Sequence, residues 1–180
     1  DKNLYKHKKV DKSNRKDWYP GKWRKEWMAL GAKAQNNNDV NDCMIRYADV
    51  VLMAAEAYNE IDQTPTAWTL LNSVRTRSNA TPITSANYNT LLKAPKVYDL
   101  PFINDGDDAG KFRTALYWER GFELAFEGQR KYDLIRWGIA QEALKLFTDK
   151  THTQANKFYI AGKNFTKGKH ELFPIPLDEI

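Results

Sequence analysis

The chain is short of most residues that mark a catalytic or metal centre. It has a single cysteine, Cys43, among its 180 residues, so no internal disulfide can form. Of its three histidines, His152 and His170 stand isolated, without the paired spacing of zinc ligands, and are expected to face solvent. No Gly-rich phosphate loop and no nucleophile elbow is present, and no cofactor is expected. The acidic stretch Asn104-Asp105-Gly106-Asp107-Asp108 lacks the spacing and closing Glu of a calcium loop, so it reads as a solvated turn. The longest apolar run, Val50 to Ala55, falls far below the ~20 residues a membrane-spanning helix needs. Cys43 precedes that run and is expected as a small buried residue at a helix start rather than a reactive thiol.

What is there is globular. Hydrophobic residues make up 42% and aromatics 13%, enough for a core in a chain of this length. The net charge of +5 is uneven: ten of the 28 basic residues and three of the 23 acidic ones lie in the first 25 positions. The basicity therefore belongs to an N-terminal arm, residues 1–40, where Tyr5, Trp18, Tyr19, Trp23 and Trp27 alternate with lysines. The arm is expected to be irregular chain. Three readings stay open for its aromatics: packing on later helices, which leads; stacking on the CH faces of sugars; and binding of single-stranded nucleic acid. The last ranks lowest, because a nucleic-acid binder shows basic charge elsewhere too. If a sugar site lies on this chain, Trp18, Tyr19 and Trp23 are its platforms.

Helical periodicity begins at residue 44. From about Met44 to Ile61, the residues Tyr47, Val50, Val51, Ala54, Tyr58 and Ile61 recur at steps of three and four, which predicts an apolar face. Thr64-Pro65 reads as an N-cap followed by proline at the first helical position. A second helix then carries Ala67, Trp68, Leu70, Leu71 and Val74 and ends near Ser78-Asn79. With Ala55 at its small-residue position, the pair fits half of a tetratricopeptide (TPR) pattern, although Val51 and Ala54 stand where Trp and Leu are usual. A short helix is expected near residues 86–93, capped by Ser85. A second pair is expected over 110–127 and 130–147, followed by an extended tail over 148–180 whose Phe173-Pro174-Ile175-Pro176 disfavours helix.

The second pair is dense in charge. Phe112, Ala115, Leu116 and Phe122 run into Leu124, Ala125 and Phe126, more than one stripe wide, so burial on several sides is expected. Gly128 reads as a helix end. Glu127, Arg130, Asp133 and Arg136 follow at steps of three with alternating sign and are expected to pair as a ladder, because an unpaired buried charge costs several kcal/mol, roughly the desolvation penalty. Glu119, Glu123 and Glu127 could serve as the acids of a glycoside hydrolase. Arg120, Arg130 and Arg136 nearby are expected to depress their pKa values and prevent general-acid action, so a structural role is favoured.

Three blocks carry a resemblance. Phe126-Glu127-Gly128-Gln129-Arg130-Lys131-Tyr132-Asp133-Leu134-Ile135-Arg136-Trp137-Gly138 resembles the signature of the SusD/RagB family. Arg46-Tyr47-Ala48-Asp49, leading to Ala55-Glu56-Ala57, is similar to another of its motifs, and Phe173-Pro174-Ile175-Pro176 to its closing segment. The order agrees, with Leu71-Asn72-Ser73-Val74-Arg75 between the first two. Gly121 departs from the pattern, which has Arg there, and Cys43 stands where Pro is more usual. The resemblance implies a mainly α fold of TPR-like helix pairs with irregular terminal segments, residues 1–180 forming the C-terminal part of a larger domain (arm 1–40, helical core 44–147, tail 148–180). It implies a non-enzymatic, oligosaccharide-binding lipoprotein on the outer face of the outer membrane. Such a protein serves a TonB-dependent transporter of the SusC type and is held by a lipid anchor absent from this chain. The family gives no reason to expect a nucleic-acid partner. A TPR-like protein–protein adaptor is the alternative from another class.

Overall fold

The structure is a computed structural model that describes residues 22, 43–89, 106–152 and 161–173, with backbone alone for 149–152. The chain divides into two units, Asp1–Met44 and Ile45–Ile180; all the helices below belong to the second. They are α1 (Tyr47–Glu60), α2 (Thr64–Arg77), α3 (Asp108–Glu123), α4 (Arg130–Arg136), α5 (Ala140–His152) and α6 (Ala161–Asn164). Among the described residues there is no strand. The mainly helical fold read from the sequence is what the molecule adopts, with α1 and α2 forming a TPR-like pair and α3 packing on both.

Helix α1 is alanine-rich, which favours helix, and buries Ala48, Val51, Leu52 and Ala55 at steps of three, one and three. This is not the face expected from its larger side chains. Tyr47 is 81% exposed and Ile61 60%, and Val50 and Tyr58 are also exposed. The helix carries two apolar stripes, and the one with small residues wins because it lets the partner helices approach closely. It also begins at Tyr47 and not at Met44, so Cys43 precedes the helix and is exposed. That corrects the expectation of a buried residue at a helix start.

Asp62, at φ 60°, turns the chain out of α1. Gln63, not Thr64, is the N-cap of α2, and Pro65 lies in the first turn. Thr64 uses its hydroxyl differently, donating to Asn59 Oδ1 at 3.0 Å. The Asn59 amide in turn donates to the Ala109 carbonyl at 3.4 Å, so one buried side chain joins the end of α1 to the starts of α2 and α3. Ala67, Trp68, Leu71 and Val74 are buried as expected, and Trp68 meets Phe112 edge to face at 5.1 Å. The helix ends at Ser78, with Asn79 at φ 55°.

Beyond α2, Asn72 pins the chain by accepting from Ile83 N and donating to Ile83 O, both at 2.7 Å. The turn that follows is held by Thr84, not Ser85: Thr84 N donates to Asn87 Oδ1 at 2.7 Å. The expected helix over 86–93 extends beyond the described residues. Asp107, from the acidic stretch, caps α3 by accepting from Gly110 N at 2.6 Å. Phe112, Ala115 and Leu116 then complete the main core.

Helix α3 stops at Glu123, before the expected 127, and Phe126 takes φ 64° ahead of Gly128 at φ 78°. Phe122 and Phe126 are exposed, against the expectation of burial on several sides, whereas Leu124 is buried. The single helix expected over 130–147 is two. Gly138 adopts φ 70°, a left-handed position where glycine carries no Cβ penalty, and Ile139 N donates back to Leu134 O at 3.0 Å. Ile139 then packs with Tyr117 in a smaller second core, flanked by Leu134, Trp137 and Ala143. Within the tail, α5 runs on to His152 and α6 packs against it. There a Cβ on Gly162 would lie 2.3 Å from the Leu144 carbonyl oxygen, so only glycine fits. The Gly162 amide donates to Thr148 Oγ1 at 2.9 Å.

Candidate functional site

The charged residues read as a ladder along one helix are instead shared among several. Arg120, on α3 and 4% exposed, donates from Nη1 to Asp49 on α1 and from Nε to Asp133 on α4, both at 2.8 Å. Asp133, 2% exposed, also accepts from Arg136 at 2.9 Å. Arg136 grips both oxygens of Glu56 on α1, at 2.5 and 2.7 Å, and the indole of Trp137 donates to the same carboxylate at 2.8 Å. Of the expected i,i+3 steps, Asp133–Arg136 forms. Arg130 donates to the Tyr117 carbonyl at 2.9 Å and lies 3.9 Å over its ring. Gly121 leaves it room, since a Cβ there would already meet the guanidinium at 3.6 Å. Glu127 pairs with Arg46 at 2.6 Å. The expected ladder is therefore corrected: side chains at i,i+3 share a face, but most of these charges pair with tertiary neighbours.

The three acids considered for hydrolysis sit in this system. Glu119 accepts from Arg75, which also donates to the Thr81 carbonyl. Glu123 accepts from Arg46 at 2.6 Å and Arg77 at 2.7 Å. The arginines are not the Arg120, Arg130 and Arg136 expected from sequence proximity, and they do not depress Glu119. Its carboxyl is pushed above the ordinary range by burial, which the Arg75 charge and hydrogen bond only partly offset. At the far end of α1, by contrast, two hydrogen bonds from Arg113 hold Glu60 below the ordinary carboxylate range against the opposing effect of burial.

Trp18, Tyr19 and Trp23, the sugar platforms expected from the sequence, lie outside the described residues. His170 is exposed as expected, with Nδ1 accepting from Thr166 N at 2.7 Å. Among the described residues no group of His, Cys, Asp and Glu could hold a metal ion. Nor is any helix there long and apolar enough to cross a membrane. Sequence reasoning missed Arg75, Arg77 and Glu56 as members of the network. The signal was present for Glu56, which falls inside one of the similar blocks, and for Arg75, which ends the matching stretch between two of them.

Buried arginine–carboxylate pairs clamping TPR-like helices define a helical scaffold whose charged residues are structural in placement. The chain belongs to the SusD family, whose model matches residues 2–180. It is similar to SusD-like protein P25 of Formosa agariphila, 35% identical over 144 residues, 80% of this chain and 23% of that protein. It is also similar to SusD-like protein P38 of the same organism, 34% identical over 107 residues, 59% of this chain and 19% of that protein. The chain thus spans less than a quarter of the length of these curated relatives. No solved structure matches.

Proposed function

We propose that this chain is the C-terminal part of a surface glycan-binding protein that captures oligosaccharide for a SusC-like TonB-dependent transporter and does not cleave it. Family membership carries the reading. The carboxylates of Glu119, Glu123 and Glu127 support the absence of catalysis, because each is already engaged by arginine and a general acid needs a free path to the leaving group. The protein would sit on the outer face of the outer membrane through a lipid anchor. Trp18, Tyr19 and Trp23 are its proposed stacking platforms on this portion, because large aromatics interleaved with lysines suit sugar faces. Calorimetric titration of the full-length protein with a panel of oligosaccharides, followed by a reducing-end assay after long incubation, tests this. Binding without new reducing ends is expected. New reducing ends that disappear in Glu119→Gln would overturn it in favour of a glycosidase.

The adaptor reading has one observation in its favour, the exposed apolar stripe Tyr47, Val50, Tyr58 and Ile61 on α1. Such a patch on a helical repeat suits contact with protein. A protein that binds no glycan in the panel, yet loses its transporter when Tyr47 and Tyr58 are both changed to Lys, would be an adaptor.

A further inference from the structure

A cavity of about 460 Å³ opens between α4, α5 and the segment after α6. Its volume falls within the range of small-molecule sites, which are mostly apolar with a few placed polar groups. Leu134, Ile135, Ala140 and Leu144 supply aliphatic walls. The polar groups that line it are of one kind. Arg130 keeps one Nη on the Tyr117 carbonyl and has further N–H donors in its fork. The Lys131 ammonium rests 3.9 Å over the Phe173 ring, and only the N–H bonds that point away from the ring remain as donors. His170 spends Nδ1 as the acceptor of the Thr166 amide at 2.7 Å, which places the proton of the neutral imidazole on Nε2. Its ring lies against Phe165, 5.8 Å between centroids.

Among the described residues, the side chains around this cavity therefore offer hydrogen-bond donors and positive charge, and no free side-chain acceptor. A sugar, whose hydroxyls both donate and accept, is poorly matched to that set and to aliphatic walls. An apolar molecule ending in a carboxylate matches both: its body replaces water on the leucines and its oxygens accept from the rim. We infer that this cavity is a second ligand site, separate from glycan capture, that takes a small amphiphilic carboxylate.

The probes are 4-phenylbutyrate and its uncharged amide, titrated into the full-length protein with the leucine and isoleucine methyl groups observed by NMR. The carboxylate is expected to bind about five- to tenfold more tightly than the amide, the worth of one partly exposed charge-assisted hydrogen bond. It should shift the methyl signals of Leu134, Ile135 and Leu144. Lys131→Gln combined with His170→Ala, both at exposed positions, should weaken the preference to what Arg130 alone supports while leaving oligosaccharide binding unchanged. Failure of both probes to bind, equal affinity for the two, or a preference undiminished in the double variant would each overturn the site. None of these outcomes bears on glycan capture, which the oligosaccharide titration reads separately.

Discussion

Asp133→Ala tests the claim that the buried network holds the helices together. Asp133 accepts from Arg120 Nε at 2.8 Å and from Arg136 at 2.9 and 3.1 Å. Removing one partner of a buried pair costs ~3–5 kcal/mol, because the remaining charge is left uncompensated. Here Arg120 keeps Asp49 and Arg136 keeps Glu56, so the lower end, about 3 kcal/mol, is expected. For a domain of 150–250 residues 1 kcal/mol moves Tm by roughly 2–4 °C, and less for a larger unfolding unit, so a fall of up to about 6–12 °C is expected. Arg120→Met should cost more, about 4–5 kcal/mol, since the buried Asp49 and Asp133 both lose a donor. The assay is thermal and urea unfolding of the full-length protein followed by circular dichroism, with oligosaccharide titration of the folded variant. An Asp133→Ala protein that melts like wild type but loses glycan binding would refute the structural assignment and place Asp133 in a functional site.

Glu119 should show an inverted pH signature. Burial raises its folded pKa above the ordinary 4.5, so its favourable contribution is full below the unfolded value and is lost as pH rises through the raised one. The stability of wild type relative to Glu119→Gln should therefore decline as pH rises above the ordinary carboxylate range in urea titrations; a rise would contradict it. Glu60, held below the ordinary range by Arg113, should behave oppositely, its smaller surface contribution present at neutral pH and fading on acidification. Gly162→Ala forces a Cβ into the Leu144 carbonyl, so α6 should lift from α5 at a cost of about 1–3 kcal/mol. Faster hydrogen exchange confined to residues 161–170 would report it, and unchanged exchange would refute it. Phe112→Ala, at the centre of the core, should cost ~3–5 kcal/mol in the same unfolding assay.

The helices themselves were largely legible. Steps of three and four located α1 and α2, and Thr64-Pro65 marked their junction within one residue. The buried face of α1 was not legible. Tyr47, Val50, Tyr58 and Ile61 form as regular a stripe as Ala48, Val51, Leu52 and Ala55, and hydrophobicity favours the larger residues. Close helix packing favours the smaller ones. Gly138 was visible in the sequence, but a glycine's sign of φ is set by where the chain must go next, which here is the second core around Ile139. The charged network was read correctly as ionic and wrongly as local. Spacing along one helix predicts which side chains share a face, whereas Arg120 and Asp49 are brought together across 71 positions. That pairing is a property of the assembled helices, and a single sequence does not display it. The proposed sugar platforms rest on the sequence, since Trp18, Tyr19 and Trp23 lie outside the described residues.

The position of Arg120 also has a kinetic consequence. Its two carboxylates come from opposite sides of the sequence, Asp49 at a separation of 71 and Asp133 at 13. A guanidinium with one of them in place and the other missing is desolvated without full compensation, so an intermediate lacking either α1 or α4 gains little by burying it. Burying the guanidinium is favourable only once both carboxylates are in place, so the clamp is expected to close late in folding. Interactions absent from the folding transition state act on the rate of unfolding and barely on the rate of folding. The network is thus a brake on opening: Asp133→Ala should refold at nearly the wild-type rate and unfold much faster in stopped-flow denaturant jumps. Where cleavage outpaces reclosing, proteolysis follows the rate of opening, and the lifetime of the closed state is the quantity that such a brake extends.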